Sequence, residues 1–246
     1  VSEAAQAHPI RAFRPDDVVD LYRVCLATGD AGADASALHD DPELLGHLYV
    51  GPYAALEPEH VLVLEAVGGP TADGAAGVGS AGVGSAGVGS AAASMPASVP
   101  SLVAGYAVGA LDTLAFHARV RARWLPPLQR RYPDPGGDPE RWTPDQRLMH
   151  LLHHPDKAFP RTVPEAFGPY PSHLHIDLLP IAQGRGHGRA LMERLLEDLR
   201  RDGSAGVHLG VAAANARAIG FYEHLGFIPL GEGQEGHAVW MGKRLR

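Results

Sequence analysis

Residues Gln183-Gly184-Arg185-Gly186-His187-Gly188 set three glycines at alternate positions directly ahead of Arg189–Arg201, a segment whose Leu191, Leu195 and Leu199 fall on one helical stripe. Such a turn can hold an anion. The first N–H groups of a helix lack acceptors, the positive end of its dipole points the same way, and without Cβ atoms the backbone is bare. Just upstream, His173-Leu174-His175-Ile176-Asp177-Leu178-Leu179 alternates, so His173, His175 and Asp177 share one face of a strand and Leu174, Ile176 and Leu178 the other. Three polar side chains on a central strand are costly to bury unless they are paired or face a cleft. A cleft is expected here, with Asp177 the first candidate for a base and Asp112, at the end of a neighbouring strand, the second. The His-x-His-x-Asp run could also ligate zinc or iron. Metallohydrolases with a similar run add a histidine after the aspartate, whereas this chain has Leu178, so no metal is expected there; the remaining histidines read as scattered surface or structural residues.

Two nucleotide-binding alternatives fail on spacing. The loop lacks the lysine and hydroxyl of Gly-x-x-x-x-Gly-Lys-Ser/Thr, which excludes a P-loop nucleotidase. A dinucleotide fold would alternate strand and helix from the start and carry an acidic residue about 20 positions beyond the glycines; position 208 is His208, and the preceding elements read as a meander.

The elements that must position these groups follow from periodicity. Ile10–Arg14 suits a first strand, and Asp16 can cap a helix bearing Val18, Leu21, Tyr22, Cys25 and Leu26 on its stripe. A second helix is expected from Pro42 to about Tyr49. His60–Val67 and Leu102–Asp112 are apolar runs suited to neighbouring strands. Helical patterns follow near Leu114–Arg131 and Pro144–His154, then a strand at His173–Leu179, the helix Arg189–Arg201, a strand at Gly206–Val211, a helix at Asn215–Leu225 and strands at Pro229–Gly231 and Ala238–Leu245. Val67–Pro100 repeats Ala-Gly-Val-Gly-Ser three times. With so much glycine and few large side chains it cannot build a core, and it is read as a flexible insertion.

The chain has 246 residues, 45% of them hydrophobic, enough for one large domain or two small ones. With 20% charged residues and a formal net charge of −7, neither a disordered polyampholyte nor a generally basic nucleic-acid binder fits. A lone cysteine, Cys25, excludes an internal disulfide, and no apolar run approaches a membrane span. The N-terminus lacks the pattern of a signal peptide. A cytoplasmic protein without nucleic-acid or membrane partners is expected, its oligomeric state open. From Asp16 to His60 ten acidic residues stand against one basic residue, Arg23, a balance suited to gathering a cation.

Asn215-Ala216-Arg217-Ala218-Ile219-Gly220-Phe221-Tyr222-Glu223-His224-Leu225-Gly226-Phe227, taken with Leu178-Leu179-Pro180 and the loop Gln183–Gly188, resembles the GNAT superfamily of acetyl-CoA-dependent N-acetyltransferases. The loop meets Arg/Gln-x-x-Gly-x-Gly/Ala, and the later helix meets Asn-x-x-Ala-x-x-Phe-Tyr-x-x-x-Gly-Phe at every fixed position. The resemblance implies an α/β fold with a mixed central sheet flanked by helices: a single domain over residues 1–246, carrying the flexible insertion 67–100 and a helical, substrate-side insertion 113–171 between the third and fourth strands. It also implies a site. Leu178, Leu179 and Ile181, the loop residues Gln183, Gly184, Arg185, Gly186, His187, Gly188 and Arg189, and Asn215, Phe221 and Tyr222 would contact acetyl-CoA. Tyr222 would protonate the leaving thiolate, and an amine, small or peptidic, would attack directly. Trp124 and His175 are placed on the acceptor side. Gly105-Tyr106-Ala107-Val108-Gly109, Arg123–Gln129, Tyr132-Pro133 and Pro171-Ser172 with Asp177 resemble more closely the acetyltransferase-like C-terminal domain of O-GlcNAcase and its free-standing bacterial relatives. That likeness leaves a non-catalytic, acetyl-CoA-binding or protein-recognition module as the alternative.

Overall fold

The computed structural model describes residues 9–66, 102–233 and 238–245. The expected flexible insertion Val67–Pro100 lies outside the described residues. Seven strands, β1 (Ile10–Ala12), β2 (Val61–Ala66), β3 (Leu102–Ala110), β4 (Ser172–Leu178), β5 (Gly206–Ala212), β6 (Ile228–Glu232) and β7 (Ala238–Arg244), form one sheet in the order β1-β2-β3-β4-β5-β7-β6. All neighbours are antiparallel except β4 and β5. Those two are parallel because a helix, α7 (His187–Arg201), crosses between them.

Both faces are covered. On one, Val61, Val63, Tyr106 and Val108 pack with residues of α1 (Val18–Ala27), α2 (Leu44–Tyr49), α3 (Gly51–Leu56), α4 (Thr113–Arg119), α5 (Leu125–Arg131) and α6 (Pro144–His153). On the other, Leu62, Leu64, Ala107 and Leu174 pack against Leu191, Leu195 and Leu199 of α7 and Tyr222 of α8 (Ala216–His224). A strand buried on both sides needs apolar residues at successive positions, which accounts for the Val-Leu-Val-Leu run of β2. β3 carries an extra residue: Leu64 pairs with Gly105 but Glu65 with Val103. The carbonyl of the extra residue, Ala104, accepts from Leu179 N at 2.9 Å. Gly105 lets the end of β4 come close, since a Cβ there would stand 2.3 Å from Leu178 Cδ2 and 2.7 Å from the Asp177 carbonyl oxygen.

Several elements differ from their sequence reading. The entry to α1 is organised by Asp17 rather than Asp16; its carboxylate accepts from Arg14 N at 2.7 Å and from both Arg11 terminal nitrogens at 2.7 Å. The single helix expected near Leu114–Arg131 is α4 and α5 joined by a π turn, Val120–Trp124, closed by Leu125 N on Val120 O. Pro126 and Pro127 bring no N–H to continue the α ladder, and a wider turn absorbs the mismatch. Helix α3 is additional, because its Gly51-Pro52 start reads as a turn.

Candidate active site

Strands β4 and β5 pair at only two positions, Ser172↔Val207 and His173↔His208, although they run on to Leu178 and Ala212. Beyond the second rung they part, and the seam between them is open. Burial follows the same line: Ser172, His173 and Leu174 are buried, whereas His175, Ile176, Asp177 and Leu178 are half-buried. The glycine loop lies at this open end. Gly184 (φ +74°) and Gly186 (φ +84°) are left-handed, a conformation glycine adopts without Cβ strain. The α7 ladder begins with Ala190 N on Gly186 O at 3.0 Å, leaving the amides of Gly188 and Arg189 without an intrahelical acceptor. Ile181, Gly184, Arg185, Gly186 and Arg189 are exposed around them, and His187 is half-buried. Gly188 itself is buried, and a Cβ there would meet Leu178 Cδ1 at 3.0 Å and Phe221 Cζ at 3.5 Å. Gln183 acts as a strut: Nε2 donates to Leu178 O at 2.8 Å while Oε1 accepts from Arg217 at 2.8 Å, tying the end of β4 to α8.

Asp177 lies under α1. Burial raises its carboxyl to about 6, against hydrogen bonds from Tyr106 and Thr28 that favour the charged form. Tyr106 OH donates to Asp177 Oδ2. The two face each other in the β3–β4 register, so the pairing of the strands sets the contact. The buried Tyr222 hydroxyl is held well above its ordinary value by burial, with the Asp177 charge adding to it, and stays protonated at neutral pH. His175 lies edge-on to Tyr49 and Tyr53, at 6.5 and 5.8 Å between ring centroids. Burial, and then His208, lower it to about 4, so it is a neutral imidazole near pH 7. Asp177, His175 and Tyr222 thus offer a tunable carboxylate, a neutral ring and a phenol donor beside the open seam.

Other residues expected at the site have different surroundings. His173 does not face a cleft: it is buried, Nε2 meets Tyr53 OH at 2.7 Å and Nδ1 meets Thr113 Oγ1 at 2.9 Å. Among the described residues the ligand atoms of His173, His175 and Asp177 do not converge. Asp112 caps α4, accepting from Ala115 N at 2.8 Å. Tyr106 pairs with Asp177 but Ala110 with His173, so β3 ends about 13 Å from Tyr106 at a strand rise of about 3.3 Å per residue, and Asp112 stands at the other end of β4 from Asp177. Trp124 is an anchor of the helical layer, half-buried, its indole N–H donating to His47 O at 2.8 Å. Asn215 caps α8 through Ala218 N at 3.0 Å and donates to Ala31 O at 3.3 Å, which joins the β5–α8 turn to the loop after α1. Three carboxylates of the acidic segment have arginine partners from other elements: Glu57 pairs with Arg119, Glu43 with Arg131 and Asp17 with Arg11.

Tyr106, Thr28 and Arg217 were absent from the sequence reading of the site. Tyr106 could have been found by counting the antiparallel register back from Asp177; Thr28 and Arg217 carry no signal that spacing reveals.

Among the described residues no helix is long and apolar enough to cross a membrane. Residues 164–227 match the Acetyltransferase (GNAT) family. The chain is 23% identical over its full length to part of "Protein O-GlcNAcase" from Rattus norvegicus, of whose length it spans 23%. It is 50% identical over 54 residues, 22% of this chain and 36% of the relative, to the "[Ribosomal protein bS18]-alanine N-acetyltransferase" of Escherichia coli (strain K12). Among solved structures, "Crystal structure of SsHAT" superposes with a TM-score of 0.76 at 33% identity, covering 98% of this chain and 99% of that one. The seven-stranded mixed sheet with its flanking helices is a GNAT fold. The chain belongs to the GNAT acetyltransferase family, and that membership implies acetyl-CoA as acyl donor.

Proposed function

We propose that the protein is an N-acetyltransferase that moves an acetyl group from acetyl-CoA to a primary amine by direct attack, with no acyl-enzyme. The observation that carries this reading is the open β4–β5 seam, with a glycine-headed helix following it, Asp177 on its β4 side and Tyr222 in the apolar cluster against which Ile176 and Leu178 pack. Amides of the loop and of the first turn of α7 would receive the pyrophosphate, and the β4 edge near Leu178 the pantetheine and thioester. The amine nitrogen attacks the thioester carbonyl, a C–N bond forms and the C–S bond breaks. Asp177 takes the proton from nitrogen and Tyr222 gives one to sulfur, so the products are the amide and the free thiol. The two transfers assist each other. Protonation of Asp177 removes the charge that helps hold the Tyr222 proton, making the phenol a better donor as the thiolate leaves.

Titration calorimetry with acetyl-CoA, followed by thiol release against a panel of amines, tests this. Binding of acetyl-CoA with thiol release for at least one amine supports it; absence of binding overturns it. One observation favours the alternative of a binding module without turnover: Asp112, Trp124 and Asn215 all have internal partners. For that reading binding persists and no amine in the panel releases thiol.

A further inference from the structure

Asp134, His150 and His154 lie outside the seam, on the helical segment between β3 and β4. His150 lies in the last turn of α6 and His154 is the residue that ends it, four positions on. Their rings lie 4.0 Å apart at 29°, and Trp142 abuts His150 at 4.8 Å. Asp134, in the proline- and glycine-rich turn after α5, meets both: His150 Nδ1 at 3.0 Å from Oδ1 and His154 Nε2 at 2.8 Å from Oδ2. The three ligand atoms all fall within 4.8 Å of one another. The edges of a tetrahedral zinc site, with bonds of about 2.0 to 2.1 Å, are about 3.3 Å long, so small shifts bring these atoms into position.

We propose that Asp134, His150 and His154 form a divalent-metal site of zinc type, pinning the turn after α5 to the end of α6. Two nitrogens and one carboxylate are a ligand set zinc favours, and three protein ligands leave a position for water or an anion. In the other grouping of this size among the described residues, Glu57, Glu59 and His60, two members are already engaged: Arg119 and His60 bind Glu57, and Asp202 binds the far side of His60. Asp134 has no arginine or lysine in an ion pair with it among the described residues; the two histidines are its partners. The charges nearby are those of the adjoining cleft of about 960 Å³, where Arg121, Arg147, Lys157 and Arg161 face a single carboxylate, Asp156. That field weakens affinity for a dication and favours an anion in the remaining position. The site is therefore expected to bind more weakly than a buried structural zinc.

Zinc titration of the untagged full chain, by calorimetry and by competition with a chromogenic chelator, tests the proposal. The expected result is saturable uptake of one zinc per chain with a rise in thermal midpoint, and a d–d spectrum of low coordination number when cobalt replaces zinc. D134A, H150A and H154A should each weaken binding tenfold or more, with far-UV circular dichroism unchanged, whereas H224A, a histidine on α8, should not. Absence of saturable binding overturns the proposal, as does binding that survives unchanged in the D134A and H154A chains.

Discussion

At the scale of single residues, Asp177 joins chemistry to stability. Its carboxyl titrates near 6 in the folded protein against about 3.9 in an unfolded chain. A group whose folded value is raised contributes most below the unfolded value, and that contribution is lost as pH rises through the folded one. Between about pH 4 and pH 6 the wild type should therefore lose on the order of 2 to 3 kcal/mol relative to Asp177→Asn, which keeps an oxygen for Tyr106. Urea unfolding of both proteins across that window measures the gap; parallel curves would show that Asp177 is not held in this way. In turnover, Asp177→Asn should lower kcat about 100-fold with little change in acetyl-CoA affinity, and the wild-type rate should rise with pH through about 6 as the carboxylate forms. Tyr222→Phe should lower kcat about tenfold or more with affinity again within about twofold. A Tyr222→Phe chain with wild-type kcat would make the phenol a packing residue.

At the scale of elements, the seam and the loop at its mouth form one device. Gly188 is a packing glycine, and Gly188→Val should press on Leu178 and Phe221 and weaken acetyl-CoA tenfold or more. Gly186→Ala meets no neighbour within 4 Å but requires φ near +84°, so it should lower stability by about 1 kcal/mol while the binding loss stays smaller. Calorimetry and thermal unfolding of the two variants separate close packing from backbone strain; equal binding losses would count against the distinction. This part of the molecule was legible in the sequence because its signals are local: alternation along β4, the leucine stripe of α7 and glycines at a strand-to-helix junction. The internal partners of Trp124, Asn215 and Asp112, which are His47, Ala31 and the first turn of α4, carry no signal in spacing because they become neighbours only through the folded structure. The π turn was invisible for another reason: apolar spacing across 114–131 fits one helix, and only hydrogen-bond supply around Pro126 and Pro127 breaks it. His150 and His154 read as scattered because Asp134, which unites them, sits in an irregular turn with no period to follow.

At the scale of the whole molecule, Ala66 and Leu102 are partners across the β2–β3 ladder, so the chain leaves and re-enters the sheet at one place. Replacing residues 67–101 by a two-residue Asn-Gly turn should preserve the fold and the acetyl-CoA affinity, and raise stability by about 2 kcal/mol from the shorter loop. Loss of cooperative unfolding in that chain would show that the segment contributes to the core. The open seam has a different consequence at this scale. A sheet normally exposes bonding groups only along its two outer strands, where proteins guard them against pairing with other chains. Here the parting of β4 from β5 creates a further such border in the middle of the sheet, with Ile176 and Leu178 on one face and His175 and Asp177 on the other. A pantetheine arm lying along it would serve as a surrogate strand and shield that border, so the chain without its acyl donor would be the form most open to pairing with extended peptides or with itself.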